Sequence, residues 1–250
     1  MKKEKICGRP KSMMDVPIMH CPGCYYGIIV RAILETIDEL EIEDNVVGLS
    51  SVSCSGPWTF LLKFDSSLCP HGRSPAMGTA IKRIHPDTVV FSVQGDGDLG
   101  AIGLGCFMNA LSRGEKLTTI MLNNVNYGMT GGQMSPTTLL GMKTTTSPEG
   151  RNALREGYPL HAAELAATMK GTAYSARVSV NTPANFKKAK KALKSAFKKQ
   201  IDNIGYGFVE FLSVCPPGWG MTPMESQEFL ENDVMAEYPL GEFKNVDSID

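Results

Sequence analysis

The chain alternates between short continuous apolar runs and longer stretches in which apolar residues recur every three to four positions. Runs over Val46–Ser50, Thr88–Val93, Leu117–Leu122, Ala173–Val180 and Gly207–Val214 read as strands buried on both faces. A helical period marks Gly27–Leu40, Pro75–Ile84, Leu99–Ser112, His161–Lys170 and Ala184–Gln200. This alternation predicts an α/β fold: a central, mostly parallel sheet covered by helices on both faces. Ligands in such sheets sit beyond the carboxyl ends of the strands. The loops of interest are therefore Ser51–Pro57, Gln94–Asp98, Asn123–Gln133 and Cys215–Gly220, each rich in Gly, Asn, Cys or Pro. A long polar stretch, Ser135–Pro159, reads as a lid or an interface loop. No repeat or low-complexity linker divides the chain. Residues 1–250 therefore read as a single domain, with an N-terminal cysteine segment and a C-terminal extension over about 216–250.

Charge narrows the function. The 25 Lys and Arg balance 26 Asp and Glu, whereas a nucleic-acid binder should be clearly basic. The most apolar stretches, Gly27–Leu34 and Phe208–Val214, contain Arg31 and Glu210 and fall short of the ~20 residues a membrane span needs. The basic start Met1–Lys5 is followed by no apolar run, so no secretory signal is expected. A cytoplasmic location follows as an expectation, and there the 7 cysteines suggest metal, cluster or catalytic roles rather than disulfides.

The strand over Thr88–Val93 runs into Gly95-Asp96-Gly97-Asp98, with Asp98 placed as the N-cap of the next helix. Gly95, Gly97 and Gly100 also satisfy G-x-G-x-x-G, so a dinucleotide fold has to be weighed. Asp96 stands where a pyrophosphate would approach, and the next strand ends in Asn123-Asn124 rather than in an acid. A magnesium ion reconciles an acid with a diphosphate, because Mg²⁺ bridges hard protein oxygens to phosphates. Asp96 and Asn124 close adjacent strands, and the carbonyl of Asn126 completes the protein side. A GDG loop followed by NN at this distance is a thiamine-diphosphate signature.

Cys21-Pro22-Gly23-Cys24 forms a C-x-x-C, while Cys54 and Cys215 each follow a strand. Four thiolates at one end of a sheet suit a [4Fe–4S] cluster or zinc, and sulfur ligands alone do not separate the two. A thioredoxin-like pair would leave Cys54 and Cys215 idle. Cys7, Cys69 and Cys106 read as small buried apolar residues.

Taken together, the GDGD loop, Asn123-Asn124, the run Gly128–Thr138, the Cys-Pro-Gly-Cys start, His71-Gly72-Arg73 and the run Cys215–Pro223 resemble one family. It is the β, thiamine-diphosphate-binding subunit of the 2-oxoacid:ferredoxin oxidoreductases, closest to the 2-oxoisovalerate (branched-chain) type. The resemblance runs from about Gly8 to Asn245. It implies oxidative decarboxylation of a 2-oxo acid to an acyl-CoA, with electrons passed through iron–sulfur clusters to ferredoxin. It implies a [4Fe–4S] cluster on Cys21, Cys24, Cys54 and Cys215, and Mg²⁺ on Asp96, Asn124 and the Asn126 carbonyl. The cofactor-binding residues it implies are Cys54, Gly95, Asp96, Gly97, Asp98, Asn124, Asn126, Tyr127, Gly128, Met129 and Thr130. His71, Arg73 and Thr130 are its candidate catalytic residues: His71 against cofactor or substrate, Arg73 toward the substrate carboxylate, and Thr130 toward the diphosphate or its own loop. An α subunit would grip the pyrimidine half of the cofactor. A γ subunit and a ferredoxin-like δ subunit are further implied partners.

Three features depart from the family pattern: Tyr25-Tyr26 after the second cysteine, Cys106 and Asn109 in place of Glu and His, and the stretch Ser53–Leu62. They leave the 2-oxo acid open among 2-oxoisovalerate, 2-oxoglutarate, pyruvate and aryl 2-oxo acids. A zinc-stabilised, non-oxidative thiamine-diphosphate subunit is the alternative. The lysines of Ala184–Gln200 read as the solvated face of an amphipathic helix, or more sharply as a docking face for acidic ferredoxin.

Overall fold

A computed structural model describes residues 8–249. The segment Met1–Lys5 and Cys7 lie outside the described residues. Seven strands form one sheet: β1 (Val46–Ser51), β2 (Ser66–Cys69), β3 (Val89–Gly95), β4 (Thr118–Asn123), β5 (Thr172–Ser179), β6 (Tyr206–Leu212) and β7 (Gly241–Asn245). Their order is β2-β1-β3-β4-β6-β5-β7. All neighbours are parallel except β5 and β7. Every residue of β3, β4, β5 and β6 is buried, which is why these strands read as continuous apolar runs.

The helices are α1 (Tyr26–Leu40), α2 (Ser74–Ile84), α3 (Leu104–Ser112), α4 (Ala153–Glu156), α5 (Ala162–Thr168), α6 (Pro183–Ile201), α7 (Pro216–Trp219), α8 (Pro223–Phe229) and α9 (Met235–Glu237). One core joins α1 and α6 to one face of the sheet through Ile29, Ile33, Leu193 and Phe197. A second joins α3 and α5 to the other face through Phe107, Leu111, Ala163 and Ala166. Among the described residues no helix is long and apolar enough to cross a membrane.

The expected parallel, helix-covered sheet is present, with four local differences. The strands β2 and β7 were not expected: β2 is short, Ser-rich and partly exposed, and β7 has Phe243 as its one strongly apolar side chain. Both pair on the outer strands of the sheet, so backbone pairing rather than apolar patterning forms them. The helix expected over Leu99–Ser112 is instead a π turn over Asp98–Ile102 followed by α3. A Cβ on Gly103 would lie 2.4 Å from the Asp98 carbonyl and 2.9 Å from Gly72 Cα, so the break admits the crossing His71–Gly72 turn.

Asp98 does not cap that helix. Gly97 occupies the cap position, and the Asp98 carboxylate accepts from Gly72 N–H at 2.6 Å and Gln94 Nε2 at 3.0 Å. On α6, Lys187, Lys188, Lys191 and Lys198 are exposed, Lys190 pairs with Glu35 and Glu39, and Lys199 is buried against Asp247. The lysine face is therefore solvated only in part.

Candidate active site at the strand ends

The strands β1, β3, β4 and β6 are consecutive in the sheet, so the loops after them stand side by side. Together with the His71 turn and Tyr26 of α1, three of these loops enclose a cavity of about 140 Å³. All eleven residues implied as cofactor-binding line it: Cys54, Gly95, Asp96, Gly97, Asp98, Asn124, Asn126, Tyr127, Gly128, Met129 and Thr130. His71 lines it as well. Arg73 does not; its Nη1 donates to the carbonyl of Ile102 at 2.6 Å and faces Cys106. Cys106 itself is only half-buried, unlike the apolar role expected of it, whereas Cys69 is buried as expected. Thr130 donates to Gln133 Oε1 at 2.5 Å and braces its own loop.

Asp96 is 2% exposed. Its Oδ2 accepts from Ser135 Oγ at 2.7 Å and Thr137 Oγ1 at 2.5 Å. Burial pushes its carboxyl up to about 6, against the pull of these two hydroxyls. The other oxygen, Oδ1, lies 3.2 Å from the side-chain oxygen of Asn124, which lies 2.8 Å from the carbonyl oxygen of Asn126. Three acceptors thus converge. Either the Asn124 amide turns over and donates to both neighbours, or a cation between the oxygens satisfies all three. The Asn126 amide is buried, and among the described residues the Cys215 sulfur is the one polar group set against it.

The loop is held open for this arrangement from beneath. Glu210, wholly buried in β6, accepts from Asn123 Nδ2 at 2.7 Å and from Arg177 Nε at 2.9 Å. The Asn123 oxygen in turn accepts from Val125 N–H at 3.1 Å. Val125 has φ +51°, a left-handed conformation costly for a β-branched residue. It turns the chain so that the Asn124 side-chain amide lies between Asp96 Oδ1 and the Asn126 carbonyl. Trp219 Nε1 donates to the Asn124 carbonyl at 3.0 Å and fixes the loop from the side.

Gly97 makes room for Tyr127. A Cβ there would sit 2.1 Å from the tyrosine ring, and Tyr127 Oη donates to the Gly97 carbonyl at 3.1 Å. Gly97→Ala displaces the ring into the cavity. We expect thiamine-diphosphate affinity to fall at least tenfold, about 1.4 kcal/mol, by calorimetric titration with Mg²⁺ present, with a near-normal unfolding midpoint. Unchanged affinity would show that the ring and the cofactor do not share this space.

Cys21, Cys24, Cys54 and Cys215 line a second cavity of about 270 Å³ that adjoins the first. Pro22 and Gly23, at φ +82°, make the tight turn that returns the Cys24 N–H to the Cys21 carbonyl at 3.1 Å. Gly128 and Gly218 bring backbone against Cys215; a Cβ on either would lie 2.8 or 2.7 Å from its sulfur. Burial pushes the Cys24 thiol up to about 12 and Cys54 to about 11, and the neighbouring thiols add to both shifts. Cys215 is raised by burial as well, against the Gly218 backbone and the Asn126 amide, which favour its thiolate. Such thiols ionise when a metal centre supplies the positive charge. The sulfurs stand around a cavity rather than about one point, and no three Cys, His or carboxylate groups among the described residues converge as ligands of a single ion.

Several supporting residues escaped the sequence. Ser135 and Thr137 reach Asp96 from about forty positions away, on a segment that reads as a lid. That segment is pinned: buried Arg151 donates to the carbonyls of Pro136 at 2.9 Å, Thr138 at 2.6 Å and Tyr158 at 2.8 Å. Its serine and threonines were visible as part of the Gly128–Thr138 run, but nothing local marks them as partners of Asp96. A larger groove of about 970 Å³ runs between α1 and the start of α6 and shares no residue with either cavity.

A family model described as "Thiamine pyrophosphate enzyme, C-terminal TPP binding domain" matches residues 47–210. The chain is 39% identical over 252 aligned residues to the ketoisovalerate oxidoreductase subunit VorA of Methanothermobacter thermautotrophicus, covering 97% of this chain and 53% of that protein. It is 38% identical to the 2-oxoglutarate synthase subunit KorB of Methanocaldococcus jannaschii, covering 82% of this chain and 72% of that one. It spans about half the length of the VorA relatives. A solved 2-oxoglutarate:ferredoxin oxidoreductase from Magnetococcus marinus shares the fold, with a TM-score of 0.82 at 22% identity, covering 99% of this chain and 88% of that one.

Proposed function

Because the chain belongs to the 2-oxoacid:ferredoxin oxidoreductases, as a thiamine-diphosphate-binding subunit, we propose that it carries out the oxidative decarboxylation of a 2-oxo acid to an acyl-CoA, with electrons delivered to ferredoxin. The observation that carries this reading is the convergence of Asp96 Oδ1, the Asn124 side-chain amide and the Asn126 carbonyl at the wall of one cavity, beside a second cavity lined by four cysteines.

In this reading Asp96, Asn124 and Asn126 hold Mg²⁺, and the ion anchors the diphosphate. Cys21, Cys24, Cys54 and Cys215 hold a [4Fe–4S] cluster. Thiamine diphosphate, when bound, supplies the carbanion-stabilising chemistry that decarboxylation needs. The chain's own groups do the rest. Asp96 brings the negative charge that the ion requires, and Ser135 and Thr137 hold its second oxygen away from the metal. Tyr127, Met129 and Val52 line the cavity with largely apolar surface, which lowers the local dielectric around charged groups. His71, braced against Asp98, presents an imidazole at the cavity mouth. Arg73, donating to Ile102, stands outside the cavity, so it reaches a substrate carboxylate only from the rim.

The partners in this reading are an α subunit contributing the pyrimidine side, γ and ferredoxin-like δ subunits, CoA and ferredoxin. The substrate is 2-oxoisovalerate or a similar branched 2-oxo acid, supported by the identity to VorA. The similarity to KorB makes 2-oxoglutarate the comparison substrate.

The test is anaerobic purification with the native partners, followed by metal, sulfide and cofactor analysis of the isolated chain. About four irons and four sulfides per chain, with thiamine diphosphate and magnesium, are expected. CoA-dependent dye reduction should be faster with 2-oxoisovalerate than with 2-oxoglutarate or pyruvate. One zinc and no sulfide would end the cluster assignment and bring a non-oxidative thiamine enzyme forward.

A further inference from the structure

Tyr26 opens α1 and is 2% exposed as a residue, but its hydroxyl oxygen is not sealed in: it opens on cavity space, where no group among the described residues hydrogen-bonds it. A hydroxyl that faces cavity space without a protein partner is free to donate to a group bound there. The ring stands on the wall between the two cavities. Five residues line both: Tyr26, Cys54, Asn124, Gly128 and Met129. Tyr26 is the only one of them with a hydroxyl.

Its ring cannot swing aside. Trp58 meets it edge-on at 6.2 Å and His20 at 5.8 Å between ring centres. These two clamps are themselves joined: Trp58 Nε1 donates to His20 Nε2 at 3.1 Å, and Nε2 lies 3.1 Å from the Cys54 carbonyl. The clamp therefore belongs to the segments that carry Cys21, Cys24 and Cys54.

We propose that the Tyr26 hydroxyl donates its hydrogen bond to a sulfur of the metal cluster held in the four-cysteine cavity, and thereby raises that cluster's reduction potential. A hydrogen bond to a cluster sulfur stabilises the more negative, reduced state. Tyr26 is thus a tuning residue at the boundary between the cofactor cavity and the electron acceptor. The proposal rests on the cluster assignment above.

The experiment uses the intact anaerobic complex carrying Tyr26→Phe, which keeps the ring, its volume and both edge contacts. Iron, sulfide and thiamine diphosphate are measured first, then the cluster is titrated with a redox mediator series and followed by EPR. Cluster content is expected to be unchanged. At a solution potential equal to the wild-type midpoint, the reduced-to-oxidised ratio is expected to fall about three- to tenfold, tenfold being about 59 mV for one electron. A fluorotyrosine placed at position 26 keeps the ring and makes the hydroxyl a stronger donor. It should move the ratio the other way, and it supplies the answer if the phenylalanine variant fails to assemble. A ratio unchanged in the variant that does assemble overturns the proposal and leaves the cluster assignment standing. A wild-type complex in which this chain, once separated, carries no iron and sulfide overturns both.

Discussion

Asp96→Asn should sharply weaken Mg²⁺-dependent thiamine-diphosphate binding and, in the cofactor-free chain, raise stability above pH 6. The two effects have one cause. Asp96 is buried, and its carboxyl is raised from 3.8 to about 6. A raised folded-state pKa means that the native state holds the proton more tightly than the unfolded chain. The associated stability is complete below about pH 4 and is lost as pH rises through about 6. At neutral pH the loss is roughly 3 kcal/mol, from about 1.4 kcal/mol per pKa unit. Asparagine does not titrate, and its oxygen can still accept from Ser135 and Thr137. The variant's melting temperature should therefore exceed wild type by several degrees at pH 8 and match it near pH 4. Binding moves oppositely, because a neutral amide replaces the one charged group of the proposed magnesium site. Thiamine-diphosphate affinity with Mg²⁺ should fall at least ~100-fold, about 2.7 kcal/mol. In wild type, loading should decline as pH drops through about 6, where the proton competes with the metal. Calorimetric titration and melts at pH 4 and 8 measure both arms, and full retention of affinity would remove Asp96 from the metal site.

The largest expected loss of stability comes from Glu210→Ala. Arg177 and Glu210 are both wholly buried, and Glu210 holds Arg177 and Asn123 at once. Removing it leaves a buried guanidinium paired only with the partly exposed Glu164, and an unpartnered Asn123 amide. Breaking a buried pair in this way costs about 3–5 kcal/mol. Replacing both members by apolar residues of similar size, Arg177→Met with Glu210→Leu, should cost less than Glu210→Ala alone, because no orphaned charge remains. Denaturant midpoints decide between the two. The network also reaches the proposed metal site by two routes. Asn123 braces Val125 beneath Asn124, while Arg177 lies over the ring of Tyr238, whose hydroxyl donates to the Thr137 carbonyl at 2.7 Å. Glu210→Gln, which still accepts from Asn123 Nδ2, should restore much of the cofactor affinity lost in the alanine variant. Equal affinity in both would show that the loop is positioned without Glu210.

The central strands were readable because a strand covered on both faces must be apolar at nearly every position. The strands β2 and β7 were not, because a half-exposed edge strand is held by its neighbour's backbone and leaves no such pattern. The π turn after Asp98 was hidden for a related reason. The apolar period runs on through Gly103, and what interrupts the helix is the His71–Gly72 turn crossing it, a contact between segments about thirty positions apart. Asp98 has the identity of a cap, but the Gly72 amide and Gln94 claim its carboxylate first.

The sequence by itself determined that an acid and an amide close neighbouring strands, and that four cysteines lie in segments at the same end of the sheet. Strand–helix–strand geometry turns such spacing into proximity, and residue type then dictates the chemistry. Only the tertiary structure decided which oxygen of Asp96 is free, that Ser135 and Thr137 hold the other, that a buried ion pair props up the Asn124 loop, and that Tyr26 stands between the two cavities without a partner. Each of those facts depends on side chains brought together from distant segments. Their partners are chosen by packing and burial, and periodicity along the chain carries no record of that choice.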